Sequence, residues 1–351
     1  MSTLRIRRPD DWHLHLRDGA ALRAVVAHTA RQFARAIVMP NLKPPVTTTA
    51  AAAAYRARIQ AALPAGSSFT PLMTLYLTDR TDAAEIPIAK RSGIVFGCKL
   101  YPAGATTNSD SGVTDIRRID AVLEAMAEHG LPLQVHAEVT APEVDVFDRE
   151  QRFIDEILGP LHVRLPQLRI VLEHATTRAA VQFVRGSRAN VAATLTPKHL
   201  LMNRNALFAG GMRPHHYCLP VLKREEDRAA LLEAAISGDP RFFLGTDSAP
   251  HARMTKEAAC GCAVIYSAHA AVEFYAEAFE AAGALARLEA FASEFGPRFY
   301  GLPLNDSYVT LERREWTVPA HYPFTGSDVL VPLRAGEVLA WRLLDPFHKD
   351  S

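Results

Sequence analysis

Residues 9–33 read PDDWHLHLRDGAALRAVVAHTARQF and contain one short apolar run followed by one alanine-rich run. Residues 11–16 alternate in character as a β-strand does, whereas residues 19–33 have the composition of a helix. The segment therefore predicts a strand that leads directly into a helix, which is the repeating unit of an α/β fold.

Further apolar runs of this kind recur along the chain, and helical stretches separate most of them. The predicted strands are residues 11–16, 36–40, 70–77, 95–100, 132–136, 169–173, 190–195 and 242–245. The predicted helices are residues 19–33, 48–62, 115–129, 147–158, 177–186, 225–237 and 268–279. Eight strands close a (β/α)8 TIM barrel, and no Gly-x-Gly-x-x-Gly follows the first strand, which disfavours an open doubly wound sheet.

The carboxyl-terminal part of the chain has a different character. Beyond residue 295 it becomes proline-rich and irregular, and residues 327–344, SDVLVPLRAGEVLAWRLL, have the pattern of short antiparallel strands. We therefore expect a single domain over residues 1–351, an α/β TIM barrel with a short appendage at about 296–351.

Composition excludes several kinds of partner. Lys and Arg number 39 against 38 Asp and Glu, without a basic stripe, so neither nucleic acid nor a membrane surface is expected. Charged residues such as Arg5 and Asp10 lie where a secretory signal needs an apolar core, and no apolar run is long enough to span a membrane. We expect a cytoplasmic protein whose four cysteines are reduced.

His13 and His15 are two residues apart on the first predicted strand. Residues i and i+2 of a strand project to the same face, so both imidazoles can reach one metal ion while Leu14 points away. The alternative is a buried pair of histidines held by hydrogen bonds. The spacing alone does not decide between them.

Three more polar residues follow other predicted strands: His136 in LQVHAE, His174 in IVLEHAT and Asp247 in LGTDSAPH. Each of these histidines alone is more typical of a structural residue than of a ligand. The carboxyl ends of barrel strands are where this architecture builds its sites, however, and imidazole and carboxylate groups together suit a metal. The set therefore favours a metal centre.

Lys99, which ends the fourth predicted strand, would bring an ammonium group toward a site for cations. It must either turn outward to solvent or be neutralised. Addition of CO2 to its amine would give an anionic carbamate whose two oxygens can bridge two metals about 3.5–4 Å apart.

These residues and the motifs around them resemble the binuclear amidohydrolase superfamily and, within it, the bacterial dihydroorotases of the homodimeric type. The motifs are PDDWHLHLRDG, VMPNLKPPVTT, KLYPAGATTNSDSGVTD, VLEHATT, TPKHLLMNRN, MRPHHYCLPVLKR and LGTDSAPHARMTKEAACGCA, with GPRFYGLPLND further on. They stretch in order from about Pro9 to Ala263 and then into the carboxyl-terminal part.

The resemblance implies a zinc enzyme of de novo pyrimidine (UMP) biosynthesis that interconverts N-carbamoyl-L-aspartate and L-dihydroorotate in a homodimer. It implies a metal-bound hydroxide as nucleophile, with Asp247 as general acid and base. The metal ligands that it implies are His13, His15 and Asp247 for a more buried zinc, His136 and His174 for a more exposed zinc, and carboxylated Lys99 between them.

The resemblance also assigns residues to the substrate. It places Arg17, Asn41 and His251 at the substrate carboxylate, Leu219 and Ala263 at the ring through their backbone, and Thr106 and Thr107 on a closing loop. Without it, Arg17 can equally form a surface salt bridge with Asp18 or Asp10, Asn41 can cap a turn, and His251 can be an exposed loop residue. The loop at 101–112 can likewise be an ordinary connection.

Two other functions remain open on this sequence. One is another cyclic-amide hydrolase of the superfamily, of the hydantoinase or dihydropyrimidinase kind. Such an enzyme would not need Arg17, Asn41 and His251 to bind a carboxylate on the substrate ring. The other is a non-catalytic metal-binding barrel.

Overall fold

The computed structural model describes residues 2–344, and its centre is an eight-stranded parallel sheet curved into a barrel. In chain order the strands are β1 (Thr3–Arg7), β2 (Asp10–Leu14), β3 (Arg35–Val38), β4 (Thr70–Tyr76), β5 (Val95–Leu100), β6 (Leu133–Val135), β7 (Ile170–Leu172), β8 (Val191–Leu195), β9 (Phe242–Leu244), β10 (Tyr308–Glu312), β11 (Trp316–Thr317), β12 (Tyr322–Pro323), β13 (Val329–Leu330), β14 (Val338–Leu339) and β15 (Arg342–Leu343). Strands β2 to β9 pair in sequence order and correspond to the eight predicted strands. The predicted TIM barrel is confirmed.

The two ends of this sheet meet beyond the last residues of β2 and β9. The amide of His15 donates to the carbonyl of Ser248 at 3.0 Å, and the amide of Asp247 donates to the carbonyl of His13 at 2.9 Å. The backbone that closes the barrel is therefore the backbone that carries three of the predicted ligands.

Helices surround the barrel. They are α1 (Gly19–Gln32), α2 (Thr49–Ala62), α3 (Glu85–Arg91), α4 (Asp120–His129), α5 (Arg149–Phe153), α6 (Gly159–Arg164), α7 (Arg178–Gly186), α8 (Pro197–Leu201), α9 (Glu225–Ile236), α10 (Arg253–Lys256), α11 (Ala271–Ala281) and α12 (Phe295–Tyr300). Several begin at the polar residue that sequence analysis places there: Thr48 accepts from the amide of Ala51 at 3.2 Å, and Thr177 accepts from that of Ala180 at 3.1 Å. Short 3-10 turns cover Ile116–Ile119, Arg204–Leu207, Pro214–His216 and Leu285–Arg287, and π-helical turns cover Ile154–Leu158 and Ala290–Glu294.

All seven predicted helices have counterparts, with two differences in detail. The predicted helix at 115–129 begins with a 3-10 turn before α4, and the one at 147–158 ends in a π turn after α5. Helix α3 was not predicted, because it is short and has a proline within it.

The barrel interior below the polar residues is filled by a cluster of side chains. It comprises Trp12, Ile37, Met39, Leu72, Val171, Ala192, Phe243, Phe295 and Tyr300. Tyr300 stacks on Trp12 with ring centroids 4.5 Å apart, and a Cβ at Gly296 would lie 1.9 Å from the Trp12 indole nitrogen. Helix α12, which the expected boundary assigns to the appendage, therefore packs against the barrel interior, and only glycine fits at this crossing.

The carboxyl-terminal strands form small antiparallel sheets. Strand β10 pairs with both β15 and the amino-terminal strand β1, while β11 pairs with β14 and β12 with β13. The participation of β1 was not predicted from the sequence. The part of the expected appendage beyond residue 344 lies outside the described residues. Among residues 2–344, no helix is both long enough and apolar enough to cross a membrane.

Candidate metal centre and active site

Three of the predicted ligands form a compact triangle at the carboxyl ends of the strands. His13 Nε2 lies 3.2 Å from His15 Nε2, and Asp247 Oδ1 lies 3.3 Å from the first nitrogen and 3.2 Å from the second. Metal–ligand bonds of about 2.0–2.1 Å in a tetrahedral site separate the ligand atoms by about 3.3 Å. The triangle therefore has the dimensions of one face of a tetrahedral zinc site.

The other ring nitrogen of each histidine is turned away from this triangle. His13 Nδ1 lies 3.2 Å from a carboxylate oxygen of Glu173, and His15 Nδ1 lies 2.9 Å from Asn41 Oδ1. Metal-binding histidines commonly donate their second N–H to a carboxylate or carbonyl oxygen, which fixes the tautomer and the ring orientation. Both imidazoles are thus oriented with Nε2 toward a shared point.

Asp247 is held in place from below the triangle. It has a backbone φ of 45°, a left-handed conformation that non-glycine residues rarely adopt. The adjacent Thr246 donates from its amide and its hydroxyl to Asp11 at 2.8 and 2.6 Å, and Asp11 also accepts from the amide of His13 at 3.1 Å. Burial raises the pKa of Asp11 to about 6 although these hydrogen bonds oppose the shift. Asp11 therefore ties the strand that carries His13 to the turn that carries Asp247.

Lys198 contacts Asp247 and was not assigned a role from the sequence. Its ammonium lies 2.5 Å from Asp247 Oδ2 and 2.9 Å from the Asp247 carbonyl oxygen. Burial raises the pKa of Asp247, but the Lys198 charge and the hydrogen bonds of the two histidines hold it well below its ordinary value. The sequence signal was present, since Lys198 lies three residues after the end of the seventh predicted strand, in TPKHLL.

His136 and His174 form a second pair beside the triangle. Their ring centroids lie 4.8 Å apart, and His136 Nε2 lies 2.7 Å from Glu138 Oε2. His174 has a φ of 43°, and its amide donates to Thr194 at 2.8 Å. Two imidazoles do not complete a ligand set, so a second metal here needs at least one further protein ligand.

Lys99 lies inside the barrel and is fully buried, which excludes the alternative in which it turns outward to solvent. Its ammonium is hydrogen-bonded to the Glu173 carboxylate, the group that also faces His13. Burial lowers the pKa of Lys99, while the Glu173 charge opposes that shift. Glu173 is therefore the neutralising partner of unmodified Lys99, and sequence reasoning missed it although it directly precedes His174.

Arg17 and His251 lie together on another side of the site. Arg17 Nη2 lies 3.0 Å from His251 Nε2, while Arg17 Nη1 is buried and has no partner among the described residues. The salt-bridge alternatives are excluded, because Asp18 pairs with Arg58 at 2.9 Å and Asp10 with Arg35 at 2.6 Å. One buried arm of the partly buried guanidinium is thus left free to bind an anion.

Asn41 connects the first histidine strand to the loop at 101–112. In addition to its contact with His15, its amide donates to the carbonyl of Thr107 at 3.1 Å. Asn108 in turn donates to the carbonyl of Asn41 at 3.1 Å. The loop is therefore folded over the site in this structure.

Most of the predicted ligand and substrate residues line one small cavity. The residues that line it are His13, His15, Arg17, Asn41, Tyr101, Thr106, Thr107, His136, His174, Leu219, Asp247, Ala263 and Val264. Lys99 and His251 lie immediately behind this wall, in contact with Glu173 and Arg17 respectively. The structure thus brings the sequence-predicted residues together, and the cavity combines a metal-binding face with a cationic face.

A barrel with this buried cluster of histidines and a carboxylate at the carboxyl ends of its strands has the ligand types and the location that suit a metal-binding site. The family model described as "Amidohydrolase family" matches residues 10–305, so the chain belongs to the amidohydrolase family.

Similarity over nearly the whole chain places it among the dihydroorotases of that family. A protein of Methylobacillus flagellatus named "Dihydroorotase" is 67% identical over 344 residues, covering 98% of this chain and 99% of the relative. The crystal structure of dihydroorotase from Campylobacter jejuni has a TM-score of 0.89 and 37% identity, with 97% of each chain covered. The dihydroorotase of Saccharomyces cerevisiae in complex with 5-fluoroorotic acid has a TM-score of 0.90 and 32% identity, covering 98% of this chain and 99% of that one.

Proposed function

We propose that the enzyme interconverts N-carbamoyl-L-aspartate and L-dihydroorotate and thereby serves de novo pyrimidine (UMP) biosynthesis. The observation that carries this proposal is the free arm of Arg17, which shares one cavity with the ligand triangle. A cyclic amide that bears a carboxylate fits both faces at once. The yeast relative, whose structure holds 5-fluoroorotic acid, binds a ring of the same type.

We propose that the site holds two zinc ions. The dimensions of the triangle support the first, with His13, His15 and Asp247 as ligands. For the second, a carbamate on Lys99 would add a further ligand to His136 and His174, whose rings lie side by side. When bound, the metals would polarise the amide carbonyl and lower the pKa of water toward neutrality.

In this proposal Asp247 moves the proton. During hydrolysis its carboxylate accepts a proton from the attacking water and delivers it to the ring nitrogen as the C–N bond breaks. In the opposite direction it removes the proton from the ureido nitrogen as that nitrogen attacks the side-chain carboxylate and water leaves. Lys198 holds Oδ2 of Asp247, so the carboxylate keeps one orientation in both directions.

Arg17, Asn41 and His251 would bind the substrate carboxylate, with the planar fork of Arg17 as the principal contact. The backbone of Leu219 and Ala263 would meet the ring. Thr106 and Thr107 lie on the loop that covers the cavity, and they would donate hydrogen bonds to the substrate while the closed loop excludes water. The proposal retains the expected homodimer and the expected cytoplasmic location.

Competing turnover of two rings tests the function. We expect the metal-loaded enzyme to hydrolyse L-dihydroorotate and to leave dihydrouracil, which lacks the carboxylate, nearly untouched. Preferred turnover of dihydrouracil or hydantoin would instead indicate the hydantoinase kind of activity, and no turnover of any ring would favour a non-catalytic barrel. Asp247→Asn is the control that separates metal binding from proton transfer. The amide retains a ligand oxygen but cannot accept the proton, so this variant should keep metal and lose turnover.

A further inference from the structure

Lys256, the last residue of α10, carries a buried ammonium group outside the proposed ligand set. Its side chain is only 6% exposed and turns back into the protein. The ammonium donates to the carbonyl oxygens of Tyr217 at 3.0 Å, of Cys262 at 2.9 Å, and of Val264. All three N–H groups are therefore used on backbone carbonyls, and none is used on a carboxylate.

The three carbonyls belong to the two segments that contain the lining residues Leu219, Ala263 and Val264. Tyr217 lies two residues before Leu219, and the other two carbonyls flank Ala263 on either side. The amide of Val264 also donates to the carbonyl of Cys262 at 3.1 Å, which is the hydrogen bond of a γ-turn centred on Ala263.

This arrangement leaves the peptide groups at the cavity free. In a γ-turn the N–H and C=O of the central residue point away from the closing hydrogen bond. Within residues 2–344, the peptide N–H and C=O of Ala263 and of Leu219 have no hydrogen-bond partner, although Ala263 is buried. Unpaired peptide groups in a buried wall are costly unless a ligand completes them.

We propose that Lys256 is a positioning residue for ring recognition, whose ammonium orients the peptide groups of Leu219 and Ala263 toward the amide edge of a cyclic substrate. This proposal rests on the proposed function. Hydrogen bonds from a charged donor are stronger than neutral ones, so one ammonium with three carbonyls can hold two otherwise irregular segments in register. Within residues 2–344, the ammonium of Lys256 forms no hydrogen bond with a proposed metal ligand or with Arg17.

The test compares two inhibitors in Lys256→Met. Orotate offers both a ring amide edge and a carboxylate, whereas succinate offers carboxylates without a ring. We expect the inhibition constant of orotate to rise about tenfold or more, and KM for dihydroorotate to rise more than kcat falls. The inhibition constant of succinate and the metal content should stay unchanged. Lys90→Met is the matched control, because Lys90 also donates to a backbone carbonyl, that of Gly130, but on the exposed surface.

Equal orotate inhibition in folded, metal-loaded Lys256→Met and wild type would overturn the positioning role while leaving the proposed function intact. Parallel weakening of orotate and succinate would also overturn it, because that result indicates a general structural role. If Lys256→Met does not fold, Lys256→Arg is measured in the same way. Its planar fork keeps the charge but cannot match three converging carbonyls, so orotate alone should weaken, by a smaller factor. Wild-type enzyme that does not turn over dihydroorotate would refute the proposed function itself.

Discussion

The ammonium of Lys198 contacts both the side chain and the backbone of Asp247, at 2.5 Å from Oδ2 and 2.9 Å from the carbonyl oxygen. The double contact fixes the carboxylate and also stabilises a residue whose φ of 45° is unfavourable. A group with this role should matter for turnover without touching the substrate.

Replacing Lys198 with methionine should therefore lower kcat by roughly 10- to 100-fold, the usual cost of removing a group that orients a metal ligand. The physical reason is that Asp247 Oδ2 loses the one donor that it has within residues 2–344, and the carboxylate gains alternative orientations. Steady-state kinetics with parallel metal analysis would measure this. The Lys90→Met variant should behave as wild type, and an unchanged kcat in Lys198→Met would show that the histidines alone orient Asp247.

Lys99 and Glu173 should depend on each other in the metal-free protein. Both side chains are fully buried and are hydrogen-bonded to each other, so removing either charge leaves the other charge buried without this partner. We expect Lys99→Met and Glu173→Gln each to destabilise the metal-free protein by about 3–5 kcal/mol, and the double variant to cost less than the sum. Urea unfolding in bicarbonate-free buffer measures these free energies.

The exposed pair of Arg152 and Glu156, 3.3 Å apart, provides the matched control. Its double-mutant coupling should be about 0–1 kcal/mol, because water screens both charges. Additive effects of the Lys99 and Glu173 substitutions would mean that the two groups do not form a pair in solution.

The sequence predicted the eight barrel strands because buried parallel strands are continuous apolar runs that helices separate. It also predicted that the residues after those strands converge, since the carboxyl ends of barrel strands meet at one face.

The local direction of each side chain was less predictable. Pairing of β2 with β3 shifts register between Asp11 and Leu14, so that Trp12 and His13 both face the barrel interior although they are neighbours in sequence.

The partnership of Glu173 with the site illustrates the same limit. In a regular strand, Glu173 and His174 would point to opposite faces. The structure instead ends β7 at Leu172 and gives His174 a φ of 43°, so both side chains reach the site. Arg17 likewise lies beyond the end of β2 with a φ of 59°, and its position is set by this turn and by His251 more than by strand alternation. Residues other than glycine adopt this left-handed conformation too rarely for the sequence alone to have placed it at His174 or Arg17.

Arg17 should decide between rings with and without a carboxylate. In Arg17→Met we expect kcat/KM for dihydroorotate to fall by roughly 10- to 100-fold, because a charged hydrogen bond contributes about 1.5–3 kcal/mol. The low activity on dihydrouracil should change little, since that ring has no anion to bind. Arg58→Met is the control, because Arg58 does not line the cavity and forms an exposed pair with Asp18. An equal loss on both rings would place Arg17 in a structural role.

His251 should act as a neutral residue over the working pH range. Burial, together with the charge of the neighbouring Arg17, lowers the pKa of His251 to about 3. Its Nε2 must then accept a hydrogen bond from the guanidinium, so protonation would break the contact. Because the folded-state pKa lies below the ordinary value, the neutral form is the one present throughout the range above about pH 5.

We therefore expect His251→Ala to lower kcat/KM by a similar factor at every pH between about 5 and 9 and to leave the acid limb of the profile in place. The measurement is the pH dependence of kcat/KM in both proteins, with His321→Ala, an exposed histidine, as the control. If the acid limb disappears in His251→Ala, the imidazole titrates within the measured range, and burial and Arg17 do not lower its pKa as far as expected. If a basic limb disappears instead, the imidazole is charged in the active enzyme, and the substrate carboxylate is bound by two cations instead of one cation and a neutral acceptor.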